Sequence, residues 1–301
     1  MLYPNKTDDG VMSISERIRV YWVLTKPRLW MLLLYTGIAG YVMAAGWDID
    51  IYQFLVLVLA LYFGTAGANT VTSYIDRDID SKMIRTMNRP LPRGLINPPV
   101  KALYFGLIYS SLSLILSYSL GILPLIFMAF GLVDNIIIYS YLTKRRTSWN
   151  VILGSFSGGA PVVIGYTAAV GRLDLIAIIW AGLIVIWTPI HIWSLALFYR
   201  DDYRRAGVPM LPTVTSRSTA MKCIASSAII LVTFSYLIPI LNADLFSPIY
   251  FIVVTVLNAL IVYYSIMMFR VDEERIAWRL FKLTSPYLGV VFTLGMLLTL
   301  F

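Results

Sequence analysis

The chain has 301 residues, 59% of them hydrophobic and 13% charged, with a formal net charge of +8. A soluble domain carries about 25% charged residues, so this composition excludes an ordinary soluble globular fold and points to an integral membrane protein. The positive balance does not mark a nucleic-acid binder. The basic residues sit in short loops between apolar runs, where membrane topology accounts for them.

Residues 1–20 form a polar N-terminal segment with no short apolar core and no small-residue cleavage site, so no signal peptide is expected. A membrane-spanning helix needs about 20 mostly apolar residues. Nine such runs follow, at about 29–46, 52–75, 102–119, 121–141, 149–170, 173–198, 224–241, 247–269 and 284–301. Gly121 divides the third run from the fourth. Of the 24 Lys and Arg residues, 23 fall ahead of the first run (Lys6, Lys26 and Arg28 among them) or in the loops joining runs two to three, four to five, six to seven and eight to nine; only Arg172 lies on the other side. The positive-inside rule makes the basic side cytoplasmic, and nine spans then place the N-terminus inside and the C-terminus outside. The expectation is an all-α integral membrane protein of the cell membrane, one domain over 1–301. The lone Cys223 excludes an internal disulfide and reads as a packing residue.

Two loops on the basic side are long, about 76–101 and 199–223. Long connections are functional or disordered; their Asp, Arg, Pro and Gly content favours function. The first lies within NTVTSYIDRDIDSKMIRTMNRPLPRG, 69–94. On a continuing helix Asp76 and Asp80 share a face, with Thr72 and Asn69 projecting from nearly the same one, while Asp78 points elsewhere. Two carboxylates one turn apart, beneath neutral oxygen donors, suit Mg²⁺, which binds through one or two carboxylates plus substrate phosphates. Lys82, Arg85, Arg89 and Arg93 suit those phosphates. The competing reading is a solvated helix end whose opposite charges pair on the surface.

The second loop, FYRDDYRRAGVPMLP at 198–212, sets Asp201 and Asp202 among Arg200, Arg204 and Arg205, with Gly207 and Pro209 ending any helix. Two such loops on one side could hold two metals or two ends of one diphosphate. In YLTKRRTSWN, 141–150, Tyr141 and Lys144 lie on adjoining faces and can meet a phosphate; plain interfacial anchoring is the alternative. His191, the one histidine, lies inside run six after Pro189, and an ionisable residue within a span is a functional candidate. Asp134 is seven residues before Tyr141, hence on a similar face, and either lines the same cavity or pairs internally. Asn258 reads as an interhelical hydrogen bonder.

Together YIDRDID with RTMNRPL, LTKRRTSWN, GGAPVVIG, WTPIHIWSLAL and DDYRRAGVPMLP, in that order from about Leu24 to the C-terminus, resemble the UbiA superfamily of intramembrane prenyltransferases, and within it the branch that farnesylates heme. Thr72 stands where the superfamily usually has Asn, and Ile190 where that branch has a second proline. The resemblance implies a nine-helix bundle around a central cavity with two cytoplasmic Asp-rich cap loops. It implies Mg²⁺-bound farnesyl diphosphate and heme B as substrates. The metal set would be Asp76, Asp80, Asp201, Asp202, Asn69 and Thr72, with Asp78 in support. Arg28, Arg77, Lys82, Arg85, Arg89, Tyr141, Lys144, Arg145 and Arg200 would bind the diphosphate. Asp76, Asp80, Asp202 and Lys144 would carry catalysis, and His191, Trp187 and Trp193 would face the heme; Asp134, a departure from the superfamily pattern, is grouped with them by its place in the fourth run alone. The product would be heme O, passed to a downstream heme-modifying enzyme or an oxidase assembly factor. Three rivals are weighed: a related prenyltransferase acting on a quinone precursor, an aromatic acid or a glyceryl phosphate lipid; an alcohol phosphatidyltransferase, whose DG followed by AR ahead of later aspartates is not found in this sequence; and a transporter, whose ionisable residues belong near the midplane rather than at one face.

Overall fold

In hydrocarbon every backbone N–H and C=O must be satisfied within its own segment, and the helix does this. The computed structural model describes residues 12–271 and 274–301, so Lys6 and the first part of the polar N-terminal segment lie outside it. Among the described residues there is no strand, and nine helices are long and apolar enough to cross a membrane. A short α1 (Ile14–Leu24) precedes them. The spans are α2 (Pro27–Ala45), α3 (Ile51–Ile75), α5 (Val100–Leu120), α6 (Ile122–Leu132) with its continuation Val133–Thr143, α7 and α8 together (Asn150–Leu153 and Phe156–Val170), α9 (Leu175–Phe198), α12 (Arg217–Leu241), α13 (Pro248–Arg270) and α14 (Glu274–Leu300). Three short helices lie in the loops: α4 (Arg77–Lys82), α10 (Arg200–Arg205) and α11 (Leu211–Val214). The chain is a multi-pass membrane protein.

Three boundaries differ from the apolar runs. Helix α12 begins at Arg217 rather than near 224, and α14 at Glu274 rather than near 284. Their first turns are polar because they stand beyond the hydrocarbon, where a helix needs no apolar surface. The polar N-terminal segment leads into α1, which begins within it and continues to Leu24. Its start is fixed by a capping box, in which the Ser13 hydroxyl accepts from the Glu16 N–H and the Glu16 carboxylate accepts from the Ser13 N–H at 2.8 Å.

Within lipid, helices associate by close packing rather than by the hydrophobic effect. Helix α2 lies against α8, and α3 against α5. At the first crossing a Cβ on Gly165 would stand 1.9 Å from the Gly37 carbonyl oxygen, and one on Gly40 would stand 2.3 Å from that of Val162. Only hydrogen fits there. Gly165→Ala forces the helices apart and is expected to cost about 1–3 kcal/mol, read as a lowered unfolding midpoint in detergent. Helix α9 runs through an extended cluster of buried apolar side chains, burying Trp180, Leu183 and Ile184 with Val291 and Phe292 of α14. Outward faces carry exposed Ile108, Ile115, Ile229 and Ile252, which suit lipid. Asn258 bridges helices as expected, donating to Ser235 Oγ at 3.0 Å and accepting from the Tyr287 hydroxyl at 3.1 Å.

Candidate active site

The end of α3 sets the first two acids. The helix stops at Ile75, Asp76 turns the chain (φ −90°, ψ 4°), and α4 follows. The Asp80 N–H still donates to the Asp76 carbonyl at 2.8 Å, so the two side chains stay one turn apart. Both are buried, at 3% and 4% exposure, while Asp78 faces out. Arg89 Nη1 donates to both oxygens of Asp80, at 3.0 and 2.8 Å. Asp76 Oδ2 pairs with the Lys144 ammonium and accepts from Ser140 Oγ at 3.3 Å. Asp76 Oδ1 is buried and has no partner among the described residues.

A third cation completes the cluster. Lys26, half-buried just before α2, lies within electrostatic reach of Asp76, Asp80, Arg89 and Lys144. Its backbone is left-handed (φ 56°), the one non-glycine of that kind among the described residues; such strain persists where surrounding structure holds it and clusters at functional sites. Burial and then Arg89 push its ammonium down to about 7, against the pull of Asp80. Burial alone would raise the Asp80 carboxyl, yet Arg89 and Lys26 hold it below the usual range. Burial would likewise lower Lys144, but Asp76 raises it and keeps it protonated. Two carboxylates facing three basic groups form a site with charge to spare for an anion.

Lys144 arrives there through an unexpected helix. Residues Val133–Thr143 form a π-helix, in which each N–H reaches back five residues; the Lys144 N–H donates to the Tyr139 carbonyl at 2.8 Å. π-Helical turns recur at functional sites. The wider turn rotates the residues that follow, and two expectations based on 3.6-residue spacing are thereby corrected. Tyr141 does not join Lys144: it is 57% exposed, and Tyr139 lies beside the ammonium instead, 5.6 Å from ring centre to Nζ. Asp134 shares no face with Tyr141. It is buried and accepts the Ser157 N–H at 2.7 Å in the first turn of α8, pairing internally as a cap.

The second acidic loop closes over the first. Asp202 in α10 is buried, accepts the backbone N–H of Ile84 at 3.3 Å and of Arg85 at 3.1 Å, and pairs with Arg205. Both its oxygens are therefore engaged in stapling loop to loop, and the Arg85 guanidinium adds a bond to the Tyr203 hydroxyl at 3.4 Å. Asp201 is exposed. Burial would raise the Asp202 carboxyl, but the Arg85 N–H and Arg205 outweigh it and the net shift is downward. A depressed carboxyl stabilises the fold above its unfolded value of about 3.9 and loses that stabilisation as pH falls through the folded one. The unfolding midpoint of the native chain should exceed that of Asp202→Asn at pH 6, and the gap should close as the pH drops below about 4. A gap that stays constant with pH rules the staple out.

His191 sits where α9 faces α14. Its Nδ1 lies 2.7 Å from Thr284 Oγ1. Its ring is stacked on Trp187 (centroids 4.3 Å, 18°) and tilted against Phe281 (4.4 Å, 32°), with Trp278 stacked beyond Phe281. Trp187 Nε1 donates to the Thr284 carbonyl at 2.7 Å. Trp193 is buried, and its indole N–H has no hydrogen-bond partner among the described residues.

The model of the UbiA prenyltransferase family matches residues 33–286. The chain belongs to the UbiA prenyltransferase family. A protoheme IX farnesyltransferase of Thermoplasma volcanium is 44% identical over 282 residues, covering 93% of this chain and 97% of that one. Two solved structures share the fold. That of digeranylgeranylglyceryl phosphate synthase has a TM-score of 0.77 at 20% identity, over 95% of this chain and 99% of its own. That of an Archaeoglobus fulgidus UbiA homologue bound to GPP and Mg²⁺ has a TM-score of 0.67 at 15% identity, over 91% and 99%.

In this UbiA-family chain the residues expected to bind the diphosphate do not all converge. Arg89 and Lys144 reach the buried carboxylates. Arg77, Arg145 and Tyr141 instead line an open groove of about 570 Å³ with Tyr74, Ile75, Asp78 and Arg146. There Arg145 forks onto Asp78 at 2.6 and 2.7 Å, and Arg77 covers the Tyr74 ring. Arg200 points away toward α11, donating to the Thr215 carbonyl at 2.6 Å. Arg28 and Lys82 are exposed. Thr72 is buried and its hydroxyl returns to the Asn69 carbonyl at 3.1 Å; Asn69 is half-buried two turns above Asp76. Sequence reasoning missed the roles of Lys26, Tyr139, Ser140 and Thr284; Arg205 was set beside Asp202 by the sequence, and it is the arginine that pairs with it. Lys26 carried one readable signal, a basic residue directly before the Pro that starts α2.

Proposed function

We propose that this chain transfers the farnesyl group of farnesyl diphosphate to a vinyl group of heme B, giving heme O, in a Mg²⁺-dependent reaction at the Asp76–Asp80 cluster. The observation that carries the reading is the buried pair of carboxylates ringed by Lys26, Arg89 and Lys144, with one oxygen, Asp76 Oδ1, lacking a partner among the described residues. Heme as acceptor is supported by the protoheme IX farnesyltransferase at 44% identity over almost the whole chain.

The donor set fits Mg²⁺. Among the described residues no three Asp, Glu, His or Cys side chains converge to enclose a metal. Two carboxylates plus diphosphate oxygens are what Mg²⁺ usually takes, and a bare buried carboxylate oxygen is one such donor. Asp76 and Asp80 would hold it, with Asn69 and Thr72 above. Bound there, Mg²⁺ supplies positive charge to the departing diphosphate. Lys144 and Arg89 exchange their carboxylate partners for diphosphate oxygens, Lys26 adds its charge beside them, and together they stabilise the charge that develops as the allylic C–O bond breaks. The bonding pair leaves with the diphosphate. The terminal vinyl carbon bonds to farnesyl C1, water adds to the inner vinyl carbon, and a proton is lost. The apolar helices shield the allylic cation from early capture by water. Asp202 keeps the two loops closed over this chemistry.

The basic face is assigned to the cytoplasm and the protein to the cell membrane, with heme O passed to a heme-modifying enzyme or an oxidase assembly factor. Purified protein given heme B and farnesyl diphosphate should form heme O, lose activity on chelation and regain it with Mg²⁺. Turnover that survives chelation removes the metal; consumption of farnesyl diphosphate without heme O removes the acceptor.

A further inference from the structure

The hydrogen-bond chain behind His191 determines which ring nitrogen is free. Thr284 Oγ1 lies 2.7 Å from the Phe281 carbonyl oxygen. A carbonyl has no proton to give, so the single hydroxyl hydrogen of Thr284 lies on that bond. Thr284 Oγ1 then meets His191 Nδ1, also at 2.7 Å, as acceptor, and Nδ1 carries the proton. In a neutral imidazole the other nitrogen is a bare lone pair. Nε2 makes no hydrogen bond among the described residues, and the half-buried ring has its faces covered by Trp187 and Phe281. Coordination to a metal runs in the ring plane along the Nε2 edge, which neither stack occupies.

We propose that Thr284 is a positioning residue that holds His191 as the Nδ1–H tautomer, so that Nε2 is offered to the iron of a porphyrin acceptor. The inference rests on the heme reading above. Partners that fix a ligating histidine's tautomer and orientation are typically worth about 10–100-fold in affinity for the metal. The Trp187 indole bonds the backbone carbonyl of Thr284, so side-chain substitution leaves that contact in place.

Ferric heme B titrated into purified protein, followed by visible absorption and electron paramagnetic resonance, tests this. The native chain and Thr284→Ser should show imidazole-ligated iron. Thr284→Val should lose that signature, bind heme about 10-fold or more weakly, and raise KM for heme but not for farnesyl diphosphate. His191→Ala should lose the signature and regain it on addition of free imidazole. A Thr284→Val protein with native spectrum and affinity, or a Thr284→Ser protein that behaves like Thr284→Val, overturns the inference. So does a native chain that makes heme O without the signature, an outcome that leaves the proposed function standing; a native chain that binds no heme sinks both.

Discussion

Asp76→Asn and Asp80→Asn should each lower turnover by about 10²–10³-fold, the loss typical of removing one group that stabilises developing charge. Asparagine preserves the volume, so the buried site at 3% and 4% exposure is not emptied. What changes is charge. Each variant loses a carboxylate that would hold Mg²⁺ and leaves Lys144 or Arg89 without its counterion. Asp78 provides the contrast. It pairs with Arg145 on the surface, where an ion pair is worth about 0–1 kcal/mol, so Asp78→Asn should reduce turnover far less. Rates measured with heme B and farnesyl diphosphate over a range of Mg²⁺ should separate the three. Equal losses at all three positions would mean that loop charge in general, and not the buried pair, carries the chemistry.

The second large effect is expected at Lys144. Its ammonium pairs with Asp76 in a buried setting, and removing one partner of such a pair costs about 3–5 kcal/mol because the other charge is left uncompensated. Lys144→Met, which keeps the aliphatic stem, should therefore lower the unfolding midpoint and abolish turnover. Adding Asp76→Asn to Lys144→Met should restore most of the stability, since no bare charge remains, and none of the activity. If Lys144 were only an interfacial anchor, as its sequence context allows, Lys144→Met would stay within about 0.5 kcal/mol of the native protein. Stability and turnover falling and recovering together would argue for a purely structural role.

These two expectations rest on unequal footing in the sequence. The nine spans were legible because hydrocarbon thickness imposes length and apolarity, and because the basic loops alternate. The pairing of Asp76 with Asp80 was legible from a four-residue spacing that survives the turn at the end of α3. The approach of Lys144 was legible as a residue but not as a geometry. A π-helix has no composition mark, so a 3.6-residue wheel placed Tyr141 beside Lys144 and Asp134 beneath it, whereas the wider turn delivers Tyr139 and Ser140. The polar first turns of α12 and α14 were missed for a related reason: hydropathy sees a helix only while it is in lipid. Lys26 was counted toward topology, and its place in the cluster depends on the fold bringing α2 to the end of α3. Asp202 was read as a metal donor from its neighbours in sequence; its engagement by the N–H groups of Ile84 and Arg85 depends on a loop more than a hundred residues away.

If the Asp76–Asp80 cluster is where a farnesyl group is joined to heme B, the product must be recoverable as a modified heme. Mass spectrometry of hemes extracted from a host expressing the chain tests it most directly. The native chain should yield a heme species heavier than heme B by one hydroxyfarnesyl unit, and Asp76→Asn heme B alone. Unmodified heme B beside a newly prenylated quinone precursor or glyceryl phosphate lipid would contradict it.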